Sequence, residues 1–457
     1  MVKSPDLPVA ALYNETQSTP ELLAIFSARG TVQAMLDVEA ALAQAEAVRK
    51  IVPSRAARAI GQACTADDFD IAALSRGMRK AGNLAIPLVA ALTAKVATDN
   101  AAAARYVHWG ATSQDITDTA MALQLRAASV AVAQDIVRLR QGLAKLARRH
   151  RRSAMTGRTL MQAAAPVSFG LKAASWLDAL NRHDERLRQA SDRCLVLQFG
   201  GAAGTLSALG KEGPAVAREL GRRLKLPVPA MPWHAARDRI GEFAAMLGLL
   251  TGTLGKMARD ISLLMQNEID EAREPGGAGR GGSSTLPHKR NPIACASVLA
   301  AALRAPNLVA MILASQVQEH ERALGGWQAE WSVLPELVLL AGGAARHMAE
   351  TIDGLEVDRA RMRANLDARK GLVMAEAAAM ALAERVGKSA AHHLIERASR
   401  RAVADGLHLR AAIEEDPEIG RHFDRATLDR VFDPRRNLGA ADAMIDAVLR
   451  AKPKKRR

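Results

Sequence analysis

Apolar residues recur along most of this chain at three- and four-residue steps, the spacing that lines one face of an α-helix. Met35, Val38, Leu42 and Ala45 form one such stripe, in a segment that follows a helix start at Ser18-Thr19-Pro20-Glu21. There a hydroxyl cap, a first-turn proline and an acid near the positive helix end stand in order. Residues 1–108 are expected to form a small helical domain. The middle of the chain, 109–350, changes character. Ile240, Phe243, Leu247, Leu250, Leu254, Met257, Ile261 and Leu264 alternate steps of three and four, while Ala244, Met246 and Leu249 make a second face apolar. A helix apolar on two sides has to be surrounded. Val132, Ile136, Leu139, Leu143 and Leu146 give a similar, shorter stripe in the segment that begins at Asp115. Long helices bundled together, across copies of the chain, bury such faces most simply. From 351 to 457 the patterns shorten, are punctuated by Gly371, Gly387, Gly406 and Pro417, and predict a third helical domain.

Composition sharpens this picture to an all-α fold. With 457 residues and 49% hydrophobic content the chain can bury a sizeable core, and only 3% of it is aromatic, which disfavours strands. Cys64, Cys194 and Cys295 are odd in number, far apart and outside any C-x-x-C pairing, so neither disulfides nor a zinc site are expected, and a reducing cytoplasm fits. The amino terminus has no apolar signal core, and the longest apolar stretches are broken by charge or glycine short of a membrane span. A soluble protein without a membrane partner is expected.

The formal charge of +15 raises the question of nucleic acid. The basic residues are interspersed with acids, aromatic platforms are scarce, and only Lys452-Pro453-Lys454-Lys455-Arg456-Arg457 is a true run, of the kind that is usually solvated. A positive field equally attracts a small polyanion. No nucleic-acid partner is expected.

Three polar clusters interrupt the helical pattern. The densest is Gly276-Gly277-Ala278-Gly279-Arg280-Gly281-Gly282-Ser283-Ser284-Thr285-Leu286-Pro287-His288-Lys289-Arg290-Asn291-Pro292, within a loop over 274–292. Its glycines end the long central helix and begin a mobile loop. The loop is either a plain linker or a functional segment, and its density of hydroxyl, imidazole, ammonium and amide groups favours function. The second cluster is His108-Trp109-Gly110-Ala111-Thr112-Ser113-Gln114-Asp115, ahead of a helix. It reads as a helix cap, as an anion site at the positive helix end, or as both. The third is Gly157-Arg158-Thr159-Leu160-Met161-Gln162, leading through Ala165-Pro166 into another helix.

Ser283 to Pro292 resembles the S-S-x-M-P-x-K-x-N-P signature loop of the fumarase/aspartase superfamily, with Leu286 in place of the usual Met. The second cluster resembles that superfamily's T-S-x-D segment and the third its R-T-H-x-Q segment. Similarity runs from about residue 12 to residue 450. The resemblance implies three helical domains whose long central helices assemble into a homotetramer, with active sites made from segments of different subunits. It implies that Ser283 handles a proton on carbon beside a substrate carboxylate. Lys289, Asn291, Thr112 and Ser113 then hold carboxylates, and His108, Gln162 and His288 are secondary contacts. No metal or other cofactor is expected.

One departure bears on the chemistry. Leu160 stands where many lyases of the superfamily carry a catalytic histidine. An eliminating lyase needs a general acid for an amine or hydroxide leaving group, an effect of about 10²–10⁴ in rate. Addition of a carboxylate to a double bond needs neither acid nor base at that oxygen, because a carboxylate leaves and attacks unprotonated. Gly82-Asn83-Leu84-Ala85-Ile86-Pro87-Leu88-Val89, Gln198-Phe199-Gly200-Gly201-Ala202-Ala203-Gly204 and Pro232-Trp233-His234 likewise resemble the lactone-forming branch, and Leu12-Tyr13 replaces the nucleotide contact of the adenylosuccinate branch. The implied reaction closes 3-carboxy-cis,cis-muconate to 4-carboxymuconolactone in protocatechuate catabolism. The alternatives are a fumarate-releasing lyase and a helical scaffold without activity. Arg237-Asp238-Arg239, ahead of the longest helix, and His320-Glu321-Arg322 are expected to be ion pairs on solvated faces. Arg322 and Arg237 are also candidates for a third carboxylate. His392-His393, lacking a metal-binding partner at i+4, is read as a structural pair.

Overall fold

The computed structural model describes residues 9–277, 281–282, 285–286 and 288–451, with backbone alone for 9–11. About 70% of the chain is helical, and the strands among the described residues amount to two small antiparallel pairs. The helix starts are those that the local chemistry dictates. The Thr19 hydroxyl accepts from the Leu22 N–H, Pro20 fills the first turn, and the Pro20–Ile25 helix follows.

The chain divides into two compact units. The first comprises residues 1–136, 183–255 and 297–347. Its core contains the Ala28–Val48 helix, whose Met35, Val38, Leu42 and Ala45 are all buried, packed with the Ser54–Ala63, Ala85–Asp99 and Gly213–Leu224 helices. The second unit comprises residues 137–182, 256–296 and 348–457. There Ala378, Leu382, Ile395, Leu409, Ile413, Ile419 and Leu428 form a separate core from short helices. Gly371, Gly387 and Gly406 take positive φ at its element boundaries and Pro417 opens the Pro417–Gly420 helix, as the punctuation predicts.

The longest helix is Ser113–Arg149 with 37 residues, not the Asp238–Leu264 helix with 27. Its polar positions continue the helix beyond the shorter apolar stripe that marks it in the sequence. All eight stripe residues of the Asp238 helix are buried, as are Ala244 and Met246, whereas Leu249 on the second face is 56% exposed. The Ile293–Ala314 helix is more apolar than its single charge suggests. An 18-residue window of it has mean hydropathy 1.7 yet is only 28% buried within the chain, and the Ser113 helix also has such a window. Both are therefore long and apolar enough to cross a membrane, a correction to the sequence reading of short, broken stretches. Arg304, its one charge, bonds Gln17 and Glu336.

A second difference lies at the third polar cluster. Instead of running directly into a helix, Ala154–Thr159 and Gln162–Ser168 pair as a hairpin before the Phe169–Cys194 helix. Leu160 and Met161 turn it with φ of 50° and 66°, the double left-handed geometry that tight hairpins favour and that large side chains resist.

Candidate active site

The first unit builds a site around the start of the Ser113 helix. Asp115, 1% exposed, accepts hydrogen bonds from the backbone N–H of Thr112 at 3.1 Å, Gly200 at 2.9 Å and Gly201 at 2.9 Å, and its Oδ1 lies 2.8 Å from His234 Nε2. The carboxylate thus ties the helix entrance to two distant segments, 198–204 and 232–234. Gln198 completes the tie by accepting from the Trp233 N–H at 2.7 Å and exchanging backbone bonds with the Thr119 hydroxyl. Gly200 is required where it stands, since a Cβ would lie 2.8 Å from Pro232 and 2.9 Å from His234.

Above this floor stand the groups that the sequence singles out. Arg322 donates to the Thr112 hydroxyl at 3.0 Å and to the Ala202 carbonyl at 2.9 Å, while its Nε has no hydrogen-bond partner among the described residues. The structure therefore joins Arg322 to Thr112 instead of placing it in an ion pair on a solvated face. Ser113 opens the helix beside Thr112. His108, held at φ 59°, places Nδ1 2.6 Å from Glu39 Oε1. Burial alone lowers its pKa, but the Glu39 bond and the charges of Glu39 and Asp115 outweigh that and raise it, favouring imidazolium. The result is a guanidinium, an imidazole of raised basicity, hydroxyls and a helix start, an arrangement suited to carboxylates.

Arg237 behaves differently from both sequence expectations. It is 3% exposed and its guanidinium is shared between Asp118, at 2.6 and 3.2 Å, and Glu330, at 3.0 and 3.2 Å from Nε. Trp327 Nε1 and Gln114 Nε2 also donate to Asp118, at 3.0 and 3.1 Å, and the Trp233 ring lies against the cation at 4.8 Å. Burial raises the Glu330 pKa and Asp118 adds to it, whereas Arg237 is raised because the two carboxylates overcome its own desolvation. The shared cation is the firm element of this triad. Arg237 is thus a buried bracing ion pair with its donors occupied.

The second unit carries the other two clusters. Arg158 makes a two-pronged bond to buried Glu271 at 2.9 and 3.0 Å, and Asn365 Nδ2 donates to the same carboxylate at 2.9 Å. That anchor holds the hairpin on which Leu160 is 97% exposed. Gln162 faces solvent opposite Thr159. The Asp238 helix ends at Leu264, ahead of the glycine run. Glu274 accepts from the Ala294 and Cys295 N–H groups, at 3.2 and 2.7 Å, and so caps the next helix. Arg290 binds Glu356 at 2.9 and 3.0 Å and the Glu274 carbonyl at 2.6 Å. Asn291 donates from its backbone to Gly281 at 2.8 Å and from its amide to Gly282 at 3.4 Å, closing the loop neck. Lys289 and His288 are exposed. Ser283 lies outside the described residues, as do Ser284 and Pro287.

Glu39, Asp118, Glu271 and Glu330 were missed in the sequence. Glu39 carried a faint signal as an acid beside Val38 on an otherwise buried helix face, seven residues from Glu46. The other three look like ordinary surface acids until their arginines are placed. His392 and His393 gain Glu396, at i+4 from the first, as a neighbour whose ligand atoms fall within 4.8 Å of theirs. This corrects the reading that no such partner exists, although the trio is exposed and Glu396 is already bound by Arg400 at 2.5 Å.

Comparison with known proteins matches residues 14–306 to the Lyase family and 371–448 to the adenylosuccinate lyase C-terminus. The chain is 55% identical to a 3-carboxy-cis,cis-muconate cycloisomerase of Bradyrhizobium diazoefficiens, covering 92% of this chain and 93% of that one. It is 50% identical to the protein of that name from Pseudomonas aeruginosa, over 97% of both. The crystal structure of 3-carboxy-cis,cis-muconate lactonizing enzyme from Pseudomonas putida superposes with a TM-score of 0.92 at 47% identity, covering 96% of this chain and 98% of that one. With the signature loop, the T-S-x-D helix start and these matches together, the chain belongs to the fumarase/aspartase superfamily of lyases, among its 3-carboxy-cis,cis-muconate cycloisomerase relatives.

Proposed function

We propose that this protein is a cofactor-free cycloisomerase that converts 3-carboxy-cis,cis-muconate to 4-carboxymuconolactone in protocatechuate catabolism, in the cytoplasm. The observation that carries the reading is the 50–55% identity to cycloisomerases over more than nine-tenths of both chains. One carboxylate of the substrate adds across a double bond, forming the ring C–O bond. The displaced electron pair moves onto the conjugated carboxylate as an aci-carboxylate, and a proton then reaches carbon. Ser283 delivers that proton, while Lys289, Asn291, Thr112 and Ser113 hold carboxylates. Arg322, His108, Gln162 and His288 complete the polar lining. Positioned cations and N–H donors stabilise the developing charge. Leu160 supports this direction, because the attacking oxygen needs no proton relay.

In this reading the chain acts as a homotetramer, and segments of different copies make each site. Leu303, 76% exposed, and Met311 and Leu313 leave an apolar face on the Ile293 helix that neighbouring copies cover. Incubation with 3-carboxy-cis,cis-muconate should abolish the conjugated-diene absorbance and yield lactone. Retention of the diene, with fumarate released from adenylosuccinate, would replace this reading with a lyase.

A further inference from the structure

Outside every segment assigned to the reaction, the second unit contains a cleft of about 710 Å³ whose lining holds Arg149, Arg152, Arg359, Arg363, Arg435 and Arg436. Among the described residues, Asp433 is its one acidic lining residue. These guanidiniums converge from three parts of the chain: the end of the Ser113 helix, the first turns of the Arg359–Asp367 helix and the Pro434–Arg436 turn.

The charge is poorly compensated. Arg436 reaches Asp433 at 3.6 Å, Arg363 pairs with Asp367 at 2.9 Å, and Arg152 stands 3.4 Å from Asp442. Arg149, Arg359 and Arg435 have no carboxylate partner for their side chains among the described residues, so three positive charges remain. Asp358 caps the amino end of the nine-residue Arg359 helix through the Arg361 N–H at 2.9 Å, so a carboxylate already meets that helix dipole and the open charge is that of the arginines. The same charges bear on a neighbouring histidine. His150, buried behind this wall, has its pKa pushed down to about 4, first by burial and then by the charges of Arg149 and Arg359. Like charges gathered at this density destabilise a fold unless an anion relieves them. Guanidinium forks match the oxygens of carboxylate and phosphate, and among the described residues the lining has no aromatic ring on which a base could stack.

We propose that this cleft is a binding site for a compact polyanion carrying two or more phosphate or carboxylate groups. The site is separate from the reaction centre and its occupant stabilises the second unit.

The test is calorimetric titration of the full chain at low salt with two probes, pyrophosphate for the phosphate class and citrate for the carboxylate class. Saturable binding of either, one per chain, is expected. It should weaken at least about tenfold in Arg359→Gln/Arg435→Gln, since each lost charge-assisted bond accounts for roughly that factor. Binding should persist in Arg400→Gln, an exposed position elsewhere, and in Lys289→Met, which separates the cleft from the proposed substrate site. The double variant should retain wild-type turnover of carboxymuconate. Absence of saturable binding by both probes, equal affinity in the double variant, or loss of binding in Lys289→Met would overturn the proposal.

Discussion

Glu46 carries both carboxyl oxygens into the core of the first unit without a hydrogen-bond partner among the described residues. Burial first, and the nearby charge of Glu39 second, push its pKa from 4.5 up to about 9. Between those values the folded chain keeps a proton that the unfolded chain has released, so stability falls as pH rises across that window. Glu46→Gln should therefore be more stable than wild type by roughly 2–3 kcal/mol at neutral pH. Chemical denaturation at pH 5 and pH 8 checks this, because the gap should widen at the higher pH. Asp115 is buried too, but its carboxylate accepts from the Thr112, Gly200 and Gly201 N–H groups and lies 2.8 Å from His234 Nε2. Asp115→Asn exchanges two acceptor oxygens for one and should cost about 2–4 kcal/mol. Arg322→Lys keeps the charge but loses the fork that spans Thr112 and Ala202. A KM several-fold higher with kcat less affected is expected, and an unchanged KM would remove Arg322 from the substrate's surroundings.

At the level of elements, the hairpin tip places two consecutive large side chains at positive φ. Leu160 and Met161 both adopt left-handed backbone and both stand exposed, an arrangement that an Asn-Gly pair would make without strain. Replacing Leu160→Asn together with Met161→Gly should raise stability by about 1–2 kcal/mol and lower carboxymuconate turnover, as a strained tip retained for the site requires. This hairpin also shows where sequence reading stops. The apolar stripes of the Ala28, Ser113 and Asp238 helices were legible because helical periodicity accumulates over many turns. A turn made by Leu-Met carries no glycine or asparagine to announce it, so the segment through Ala165-Pro166 reads as leading straight into a helix. Pro306 and Pro335 likewise lie inside helices that propensity alone would have ended there. The candidate site residues stand in dense motifs that a sequence displays directly, whereas Glu39, Glu271 and Glu330 become visible only when the fold brings each to its histidine or arginine.

At the scale of the whole molecule, the exposed apolar face of the Ile293 helix, with Leu303 at its centre, is where assembly is tested. A tetramer predicts a mass in solution four times the 48.7 kDa chain, measurable by light scattering. Leu303→Glu should break that assembly and abolish turnover with it, because sites built from several copies do not survive their separation. A fully active monomer would contradict shared sites. Purified wild type and Ser283→Ala should be mixed side by side with 3-carboxy-cis,cis-muconate, following the diene absorbance and identifying the product. Rapid lactone formation by the wild type, slowed about 10²–10⁴-fold in the variant, is the predicted result. An inert wild type, or a variant that forms lactone at the same rate, would contradict it.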